Sequence, residues 1–384
     1  MSWWIDIGDI APEQQEVIAL DKDGRYLLIG PPGSGKTNLL LIRAEYLIRS
    51  GSPDVQVLMF NQPLHEFVVR GGSVYEVPAD RIHKIITWQL KLLGEHGYDF
   101  ESDESDLIEW RRLLALRVLE MIADIPALVG HVDTILVDEA QDCLEEEVEV
   151  VLKCARNVCF AGDNRQRIYN AKSQIDALRD KLEVVELTTH YRVGHVICNI
   201  ADEVAKAGAL ELIGSTCNYT GPVPSAAFHP CDSVEEQIEK IIEAVAVQIK
   251  AFPGELICIA APRIKDREKL EEAFAASALS DKVLPHRTSG DDDESKQIYI
   301  AHLQEIKGLE FRAVHLAMME NVSKLGKHQK RITYTAITRA KTSLAIYFTG
   351  GIPPYLAGGR AVTEPPPKKP ALSELLPGGK GKSK

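Results

Sequence analysis

The chain has 384 residues, of which 45% are hydrophobic and 26% are charged, and its formal net charge is −12 at pH 7. This length allows two domains of ordinary size, each with its own core. No apolar run is long enough to span a bilayer, and the opening MSWWIDIGDI lacks the basic start and cleavage site of a signal peptide. We therefore expect a cytoplasmic protein without membrane contact, and the acidic charge disfavours nucleic-acid binding over the whole surface.

The predicted strands are apolar runs that alternate with helical patterns. In chain order they are RYLLIG, VQVLMF, TILVDE, NVCFAGD, LEVVEL, LICIAAP, IYIAH, AVHLAMM and LAIYFTG. Helical patterns include 39–49, 105–123, 144–153, 234–250 and 266–277. This alternation predicts an α/β fold in which parallel sheets are covered by helices on both faces.

The distribution of motifs predicts two domains and a tail. The first domain, 1–185, contains the phosphate motifs and a small helical insert at about 65–130, and the second domain covers 186–352. From residue 353 to 384 the chain is rich in Pro, Gly and Lys, which predicts a flexible tail. The acidic run at 291–294 is predicted to be a solvated loop away from any strand-binding groove.

The seven cysteines predict reduced thiols. They are odd in number and scattered, and none has C-x-x-C spacing. This pattern favours the reducing conditions of a cytoplasm and disfavours a structural metal site.

A phosphate-binding loop is predicted at GPPGSGKT, between a strand and a helix. Its residues are Gly30, Pro31, Pro32, Gly33, Ser34, Gly35, Lys36 and Thr37. The glycines let backbone N–H groups surround the β-phosphate, Lys36 reaches the β- and γ-phosphates, and the Thr37 hydroxyl binds Mg²⁺. ATP and Mg²⁺ are the predicted ligands.

A pair of carboxylates completes the predicted hydrolytic site. The buried strand of DTILVDEAQD ends at Asp138 and Glu139, and parallel sheets bind ligands at the carboxyl ends of their strands. Asp138 is predicted to hold Mg²⁺, while Glu139 would orient and deprotonate the attacking water. A glutamate that activates water favours an ATPase over a kinase.

With Asp-Glu-Ala-Gln-Asp as the decisive motif, the chain resembles superfamily 1 helicases of the UvrD/Rep type, and the resemblance covers roughly residues 10–348. Besides the two phosphate motifs, the matching segments are APEQQEVI, VLMFNQPL, IITWQL, GDNRQRIY, LTTHYR, KGLEF and YTAITRAK. The resemblance implies two tandem RecA-like domains with the ATP cleft between them. It also implies single-stranded DNA as the partner and movement from 3′ to 5′.

The resemblance assigns further site residues. Arg192 and Arg339 would act as arginine fingers from the second domain, and Gln166 would link ATP to the strand. The residues implied for nucleotide binding are Gln14, Asn38, Tyr191 and Glu310.

Contacts with the DNA strand are implied at three segments of the first domain. The candidates are Phe60, Asn61, Thr87, Trp88 and Tyr169. Aromatic rings can stack on bases of any sequence. Phe60 and Trp88 also follow strand-like runs, so burial in the core is the alternative interpretation for both.

The chain departs from the family at four positions: Asn38, Ala171, His190 and Gln304 replace the usual arginine, tryptophan, asparagine and histidine. Its gaps between motifs are also too short for large accessory subdomains. The sequence therefore predicts a nearly bare two-domain DNA translocase or helicase. One alternative is a DNA-stimulated ATPase switch that partners a nuclease or another effector in DNA repair or anti-phage defence. Another is a helicase directed to RNA.

Overall fold

The computed structural model describes most of the chain, within which the strands form two sheets. The described residues are 8, 10–60, 65, 68, 69, 73–163, 174–208, 210–284, 296–322 and 327–363. Among them, no helix is both long enough and apolar enough to cross a membrane.

The first sheet has the strand order β3-β2-β4-β5-β1-β6, and all its pairs are parallel. The strands are β1 (Arg25–Ile29), β2 (Val55–Met59), β3 (Ile82–Lys84), β4 (Val132–Val137), β5 (Ala155–Gly162) and β6 (Glu183–Glu186). The helices of this half are α1 (Pro12–Ile18), α2 (Lys36–Arg49), α3 (Ile85–Glu95), α4 (Leu107–Asp124), α5 (Glu145–Cys154) and α6 (Ile175–Arg179). Because β1 and β4 run in the same direction, the segments that follow them emerge at one edge of the sheet.

The second sheet has the order β7-β11-β10-β8-β9 and is also parallel. Its strands are β7 (Ser225–Cys231), β8 (Ile257–Ala261), β9 (Ile298–His302), β10 (Phe311–Leu316) and β11 (Ala340–Thr349). The helices of this half are α7 (His195–Gly208), α8 (Val234–Ala251), α9 (Ile264–Ala275), α10 (Lys327–Ile337) and α11 (Pro354–Thr363).

Each sheet is buried on both faces, which explains why its inner strands are continuous apolar runs. Successive side chains of a strand point to opposite faces, so Leu27 and Leu28 enter different hydrophobic cores. In the second sheet, Val314 and Ala313 are likewise divided between two cores. The predicted α/β architecture with two parallel-sheet domains is confirmed.

All nine predicted strands are present, and the two that were not predicted lie at sheet edges. β3 has only three residues. β7 is largely half-buried and contains Pro230, which has no N–H to donate and is tolerated at an edge. The predicted helical insert at 65–130 therefore also supplies a strand, β3, beside α3 and α4. Glu186 still pairs with Ile29, so the first sheet extends just past the predicted boundary at 185.

The prediction of a flexible tail from residue 353 is wrong for its first part. Residues 354–363 form α11, in which Tyr355, Leu356 and Gly359 are buried. A Cβ atom at Gly359 would lie 2.8 Å from Ile200 of α7, so glycine permits the close approach of the two helices. Apolar packing against α7 thus outweighs the low helix propensity of glycine. Residues 364–384 and the acidic run at 291–294 lie outside the described residues.

The packing of α11 can be tested with one variant and a control on the same helix. Leu356 is fully buried, whereas Val362 is 46% exposed. Leu356→Ala should lower the free energy of unfolding by about 2–5 kcal/mol, because it leaves a cavity between α11 and α7. Val362→Ala should change it by less than about 0.5 kcal/mol. Urea titration measures both, and equal effects would contradict the packing.

Candidate nucleotide-binding site

The phosphate-binding loop connects β1 to α2. Gly33 and Gly35 have φ angles of 82° and 89°, a left-handed conformation that glycine adopts without steric cost. Lys36 is the first residue of α2, and its Nζ donates to the carbonyls of Gly30 at 2.8 Å and Pro31 at 3.0 Å. The loop therefore curls around the ammonium group at a helix N-terminus, where anions are favoured.

The interior of the loop is held by buried polar contacts. Ser34 Oγ donates to the Pro31 carbonyl at 2.9 Å, and Pro32 is buried behind it. Gln14 Nε2 donates to the Ser34 carbonyl at 2.8 Å, while its Oε1 accepts from the backbone of Ala11 at 3.0 Å. Gln14 thus both caps α1 and holds the loop. The role of Gln14 in nucleotide binding that the resemblance implies remains a prediction.

Thr37 and Asp138 come together at the ends of α2 and β4. Thr37 Oγ1 donates to Asp138 Oδ2 at 2.6 Å. Burial, and then the charge of Glu139, raises the pKa of Asp138 to about 6, so a nearby cation would stabilise its ionised form. A hydroxyl and a carboxylate are oxygen ligands of the kind that Mg²⁺ prefers, and the pair fits this ion.

Glu139 is held in a constrained geometry. Its φ of 55° is unusual for a residue with a side chain, and Gln141 Nε2 donates to its carboxylate. Burial raises the pKa of Glu139, but the charges of Lys307, Arg339 and Lys36 outweigh this effect and lower it. The carboxylate is therefore ionised and able to accept a proton. Gln141 was not predicted as a site residue; it also accepts from the Asp163 backbone at 2.9 Å, which joins the ends of β4 and β5.

Residues of the second domain complete the lining of the cleft. Arg192 pairs with Glu310, which also lies 3.4 Å from Lys341. Arg339 is buried and donates to the Thr335 carbonyl at 3.1 Å. Burial, with the nearby charge of Arg192, lowers the pKa of Arg339 to about 10, so it stays charged at neutral pH. The cleft is lined by Gly33, Gly35, Lys36, Thr37, Asn38, Asp138, Glu139, Arg192, Gly308, Glu310 and Arg339.

Two further contacts join the halves of the cleft and were not predicted. Lys307 Nζ forms a buried ion pair with Asp142 and lies 3.9 Å from Glu139. Both Lys307 and Asp142 belong to quoted motifs, KGLEF and DEAQD, but their pairing requires the folded arrangement.

The second contact joins Glu13 of α1 to the segment after β6. Glu13 accepts hydrogen bonds from the backbone of Thr188 and Thr189, both at 3.2 Å, and from the Tyr191 hydroxyl at 3.0 Å. The Tyr191 backbone also donates to the Gly33 carbonyl at 3.1 Å. Tyr191 thus lies beside the phosphate loop with its hydroxyl bound to Glu13.

The residues predicted to contact the DNA strand differ in their burial. Trp88 is only 6% exposed and packs in the core of the first domain, so the alternative interpretation holds and its ring is not available for stacking. The reason is that α3 begins directly after β3, which turns this side of the helix inwards. Thr87 is exposed, whereas Phe60 is half-buried with the Arg111 guanidinium 4.3 Å from its ring centroid. Asn61, Gln166 and Tyr169 lie outside the described residues.

Two family models match the sequence on either side of this cleft. An AAA domain matches residues 9–212, slightly more than half of the chain, and includes the phosphate loop, Glu139 and Arg192. The chain belongs to the AAA-domain family. A UvrD-like helicase C-terminal domain matches residues 297–347, which include Lys307, Glu310 and Arg339. The chain thus carries an AAA domain followed by a segment similar to the C-terminal domain of UvrD-like helicases.

Solved structures of helicases are similar to parts of this AAA-domain protein. The C-terminal domain of a possible DNA helicase from Lactobacillus plantarum WCFS1 is 20% identical, with a TM-score of 0.34 over 45% of this chain and 99% of that one. The PRRSV helicase is 13% identical, with a TM-score of 0.42 over 87% of this chain and 54% of that one. A search of curated proteins finds no match.

The Lys307–Asp142 pair provides a test of the closed interface. Lys307→Met should lower the free energy of unfolding by about 3–5 kcal/mol, because it leaves Asp142 as an unpaired buried carboxylate. Lys307→Met combined with Asp142→Asn should be less destabilised than Lys307→Met alone.

Lys153 serves as the matched control, since its pair with Glu149 is about half exposed. Lys153→Met should change the free energy of unfolding by less than about 1 kcal/mol. Urea titration gives all three values. If the two lysine variants lose the same amount, the pair is not buried between the domains in solution.

Proposed function

We propose that this protein hydrolyses ATP to move along single-stranded DNA in the 3′-to-5′ direction. One observation supports the hydrolytic part most directly: Lys36 and Glu139 of the first domain and Arg192 and Arg339 of the second line a single cleft. A phosphoryl-transfer site needs cationic groups to bind the phosphates and a carboxylate to activate water, and here these groups come from two domains that can close on the nucleotide.

Each group has a proposed task in hydrolysis. Lys36 binds the β- and γ-phosphates, and Thr37 with Asp138 would hold Mg²⁺, which neutralises phosphate charge when bound. The water oxygen bonds to the γ-phosphorus as the bond to the bridging oxygen breaks, and the water proton passes to Glu139. Arg192 and Arg339 stabilise the charge that develops on the departing and transferred oxygens. The role proposed for Gln166 rests on the motif alone.

The pairing of Arg192 suggests how ATP would change the cleft. Its guanidinium is bound to Glu310, and the same guanidinium could instead bind a phosphate of ATP. We propose that ATP binding exchanges these partners, while Glu310 turns to the ribose. Loss of the γ-phosphate would restore the Arg192–Glu310 pair and reopen the cleft, so each turnover would shift one domain relative to the other.

A DNA-stimulated ATPase switch is the second candidate. The burial of Trp88 favours it, because one predicted stacking platform is not available to a strand. Base stacking contributes about 1–3 kcal/mol per base, so a motor without it would grip the strand less firmly. In this case ATP turnover would signal DNA binding to a partner, such as a nuclease or another effector in DNA repair or anti-phage defence.

The hydrolytic residues can be tested directly. Lys36→Ala should abolish ATP turnover, because it removes the positive charge that binds the β- and γ-phosphates. Glu139→Gln should bind ATP but turn over about 10²–10⁴-fold more slowly, because it lacks the base. Lys153→Ala, on an exposed face of α5, is the control and should retain full activity. Phosphate release measures turnover, and substantial hydrolysis by Glu139→Gln would remove it as the base.

The two candidate functions differ in directional movement. A translocase should use ATP to displace streptavidin from only one of the two biotinylated ends of a single-stranded DNA. Movement from 3′ to 5′ requires that this is the 5′ end. A switch should hydrolyse ATP on the same strand and leave streptavidin at both ends. Matched DNA and RNA oligonucleotides distinguish a DNA-directed from an RNA-directed enzyme, and failure of both to stimulate turnover would contradict both candidates.

A further inference from the structure

Three potential metal ligands between residues 190 and 217 meet at a point outside the lining of the nucleotide cleft. The ligand atoms of His190, Cys198 and Cys217 all lie within 4.8 Å of one another. His190 and Cys198 are buried, and Cys217 is half-buried. The spacing of seven and then eighteen intervening residues matches no common zinc motif, so the cluster could not be expected from the sequence.

The backbone brings the three residues together from separate segments. His190 and Cys217 face each other in a parallel bridge, with the His190 N–H bonded to the Thr216 carbonyl at 3.1 Å. The N–H of Asn218 returns a bond to the His190 carbonyl at 2.9 Å. Cys198 lies in the first turn of α7, where its N–H donates to the Gly194 carbonyl at 3.0 Å. These bonds fix the ligands without requiring a metal ion.

The side chains already converge on one point. The thiols of Cys198 and Cys217 both donate to the Val193 carbonyl, at 3.4 and 3.3 Å. Cys198 Sγ lies 3.6 Å from Nε2 of His190. In a tetrahedral zinc site the bond lengths imply about 3.8 Å between two sulfurs and about 3.5 Å between sulfur and nitrogen. Side-chain shifts of about 1 Å would therefore give a coordinating geometry.

We propose that His190, Cys198 and Cys217 bind one Zn²⁺ ion. Two thiolates and an imidazole suit zinc better than a hard cation such as Mg²⁺. Binding would displace the two thiol protons, and a water molecule from the half-buried side of Cys217 would be the fourth ligand. Nε2 of His190, the nitrogen nearest Cys198 Sγ, lies 2.9 Å from the Ile213 carbonyl, and zinc binding at Nε2 would replace this hydrogen bond.

The position of this site gives the ion a structural consequence. His190 directly precedes Tyr191 and Arg192, whose side chains contact Glu13 and Glu310. Zinc would tie this segment to α7 and to the bridge at Cys217. It would therefore hold the segment that carries Arg192 in place, independently of what the cleft hydrolyses.

The experiment uses the full chain, purified with a phosphine reductant and dialysed against zinc in excess Mg²⁺. Elemental analysis should find about one zinc per chain, and cobalt substituted for zinc should give a thiolate-to-metal charge-transfer absorption. At a free zinc concentration about a hundredfold above Kd, the Tm should rise by about 5 °C or more.

Variants at the half-buried cysteine and at a matched one decide the assignment. Cys217→Ser should lose the bound zinc, the cobalt absorption and the Tm increase. Cys231→Ser should keep all three, because Cys231 lies on β7 outside the cluster. His190→Asn tests the imidazole and should weaken zinc binding at least tenfold. The proposal is overturned if the unaltered chain retains no zinc and gives no cobalt absorption. It is also overturned if Cys217→Ser binds zinc as well as the unaltered chain.

Discussion

Charged groups removed from water must be paired, and this constraint shapes the interface between the two sheets. Lys307 is paired with Asp142, and Arg192 with Glu310, in positions that are largely or completely buried. An unpaired charge in such a place would cost several kcal/mol. The Lys307–Asp142 pair therefore joins the two domains across the cleft, whereas the Arg192–Glu310 pair lies within the second domain. An anionic ligand that enters the cleft competes for groups that already have counter-charges.

The direction of the strands determines where those groups can be. In the first sheet, the phosphate loop follows β1 and the carboxylates follow β4, so both emerge at the carboxyl edge. In the second sheet, Glu310 directly precedes β10 and Arg339 directly precedes β11. These residues lie at the amino ends of their strands. The cleft is thus built where the carboxyl edge of one sheet faces the amino ends of strands in the other.

Elements that are encoded by local patterns can be predicted from the sequence. Elements that depend on packing between distant segments are predicted less well. The inner strands and the phosphate loop could be recognised because burial on both faces demands apolar runs and a tight turn demands glycine. The edge strand β7 and the helix α11 could not be recognised, because their polar residues, Pro and Gly disfavour a strand and a helix locally. Pairing with β11 stabilises β7, and packing against α7 stabilises α11.

Individual site residues follow the same division. Lys36, Thr37, Asp138 and Glu139 lie together because each is adjacent to a predicted strand or helix end. The contacts of Glu13 with residues 188, 189 and 191 depend on how the two halves dock, and adjacency in the sequence gives no sign of them. Trp88 shows the opposite error: a motif position suggested an exposed ring, but the direct passage from β3 into α3 turns it into the core.

The strand order has a consequence for folding of the chain during its synthesis on the ribosome. All strands of the first sheet have been synthesised by Glu186, so that half can fold while the rest is still being made. Among the described strands, β7 has β11 as its sole neighbour, and β11 is the last strand to emerge. The nascent second domain therefore carries an unpaired strand through most of its synthesis, together with the open side of β10. Such edges bind other chains readily, so a translational pause before β11 would make the nascent protein a client for chaperones.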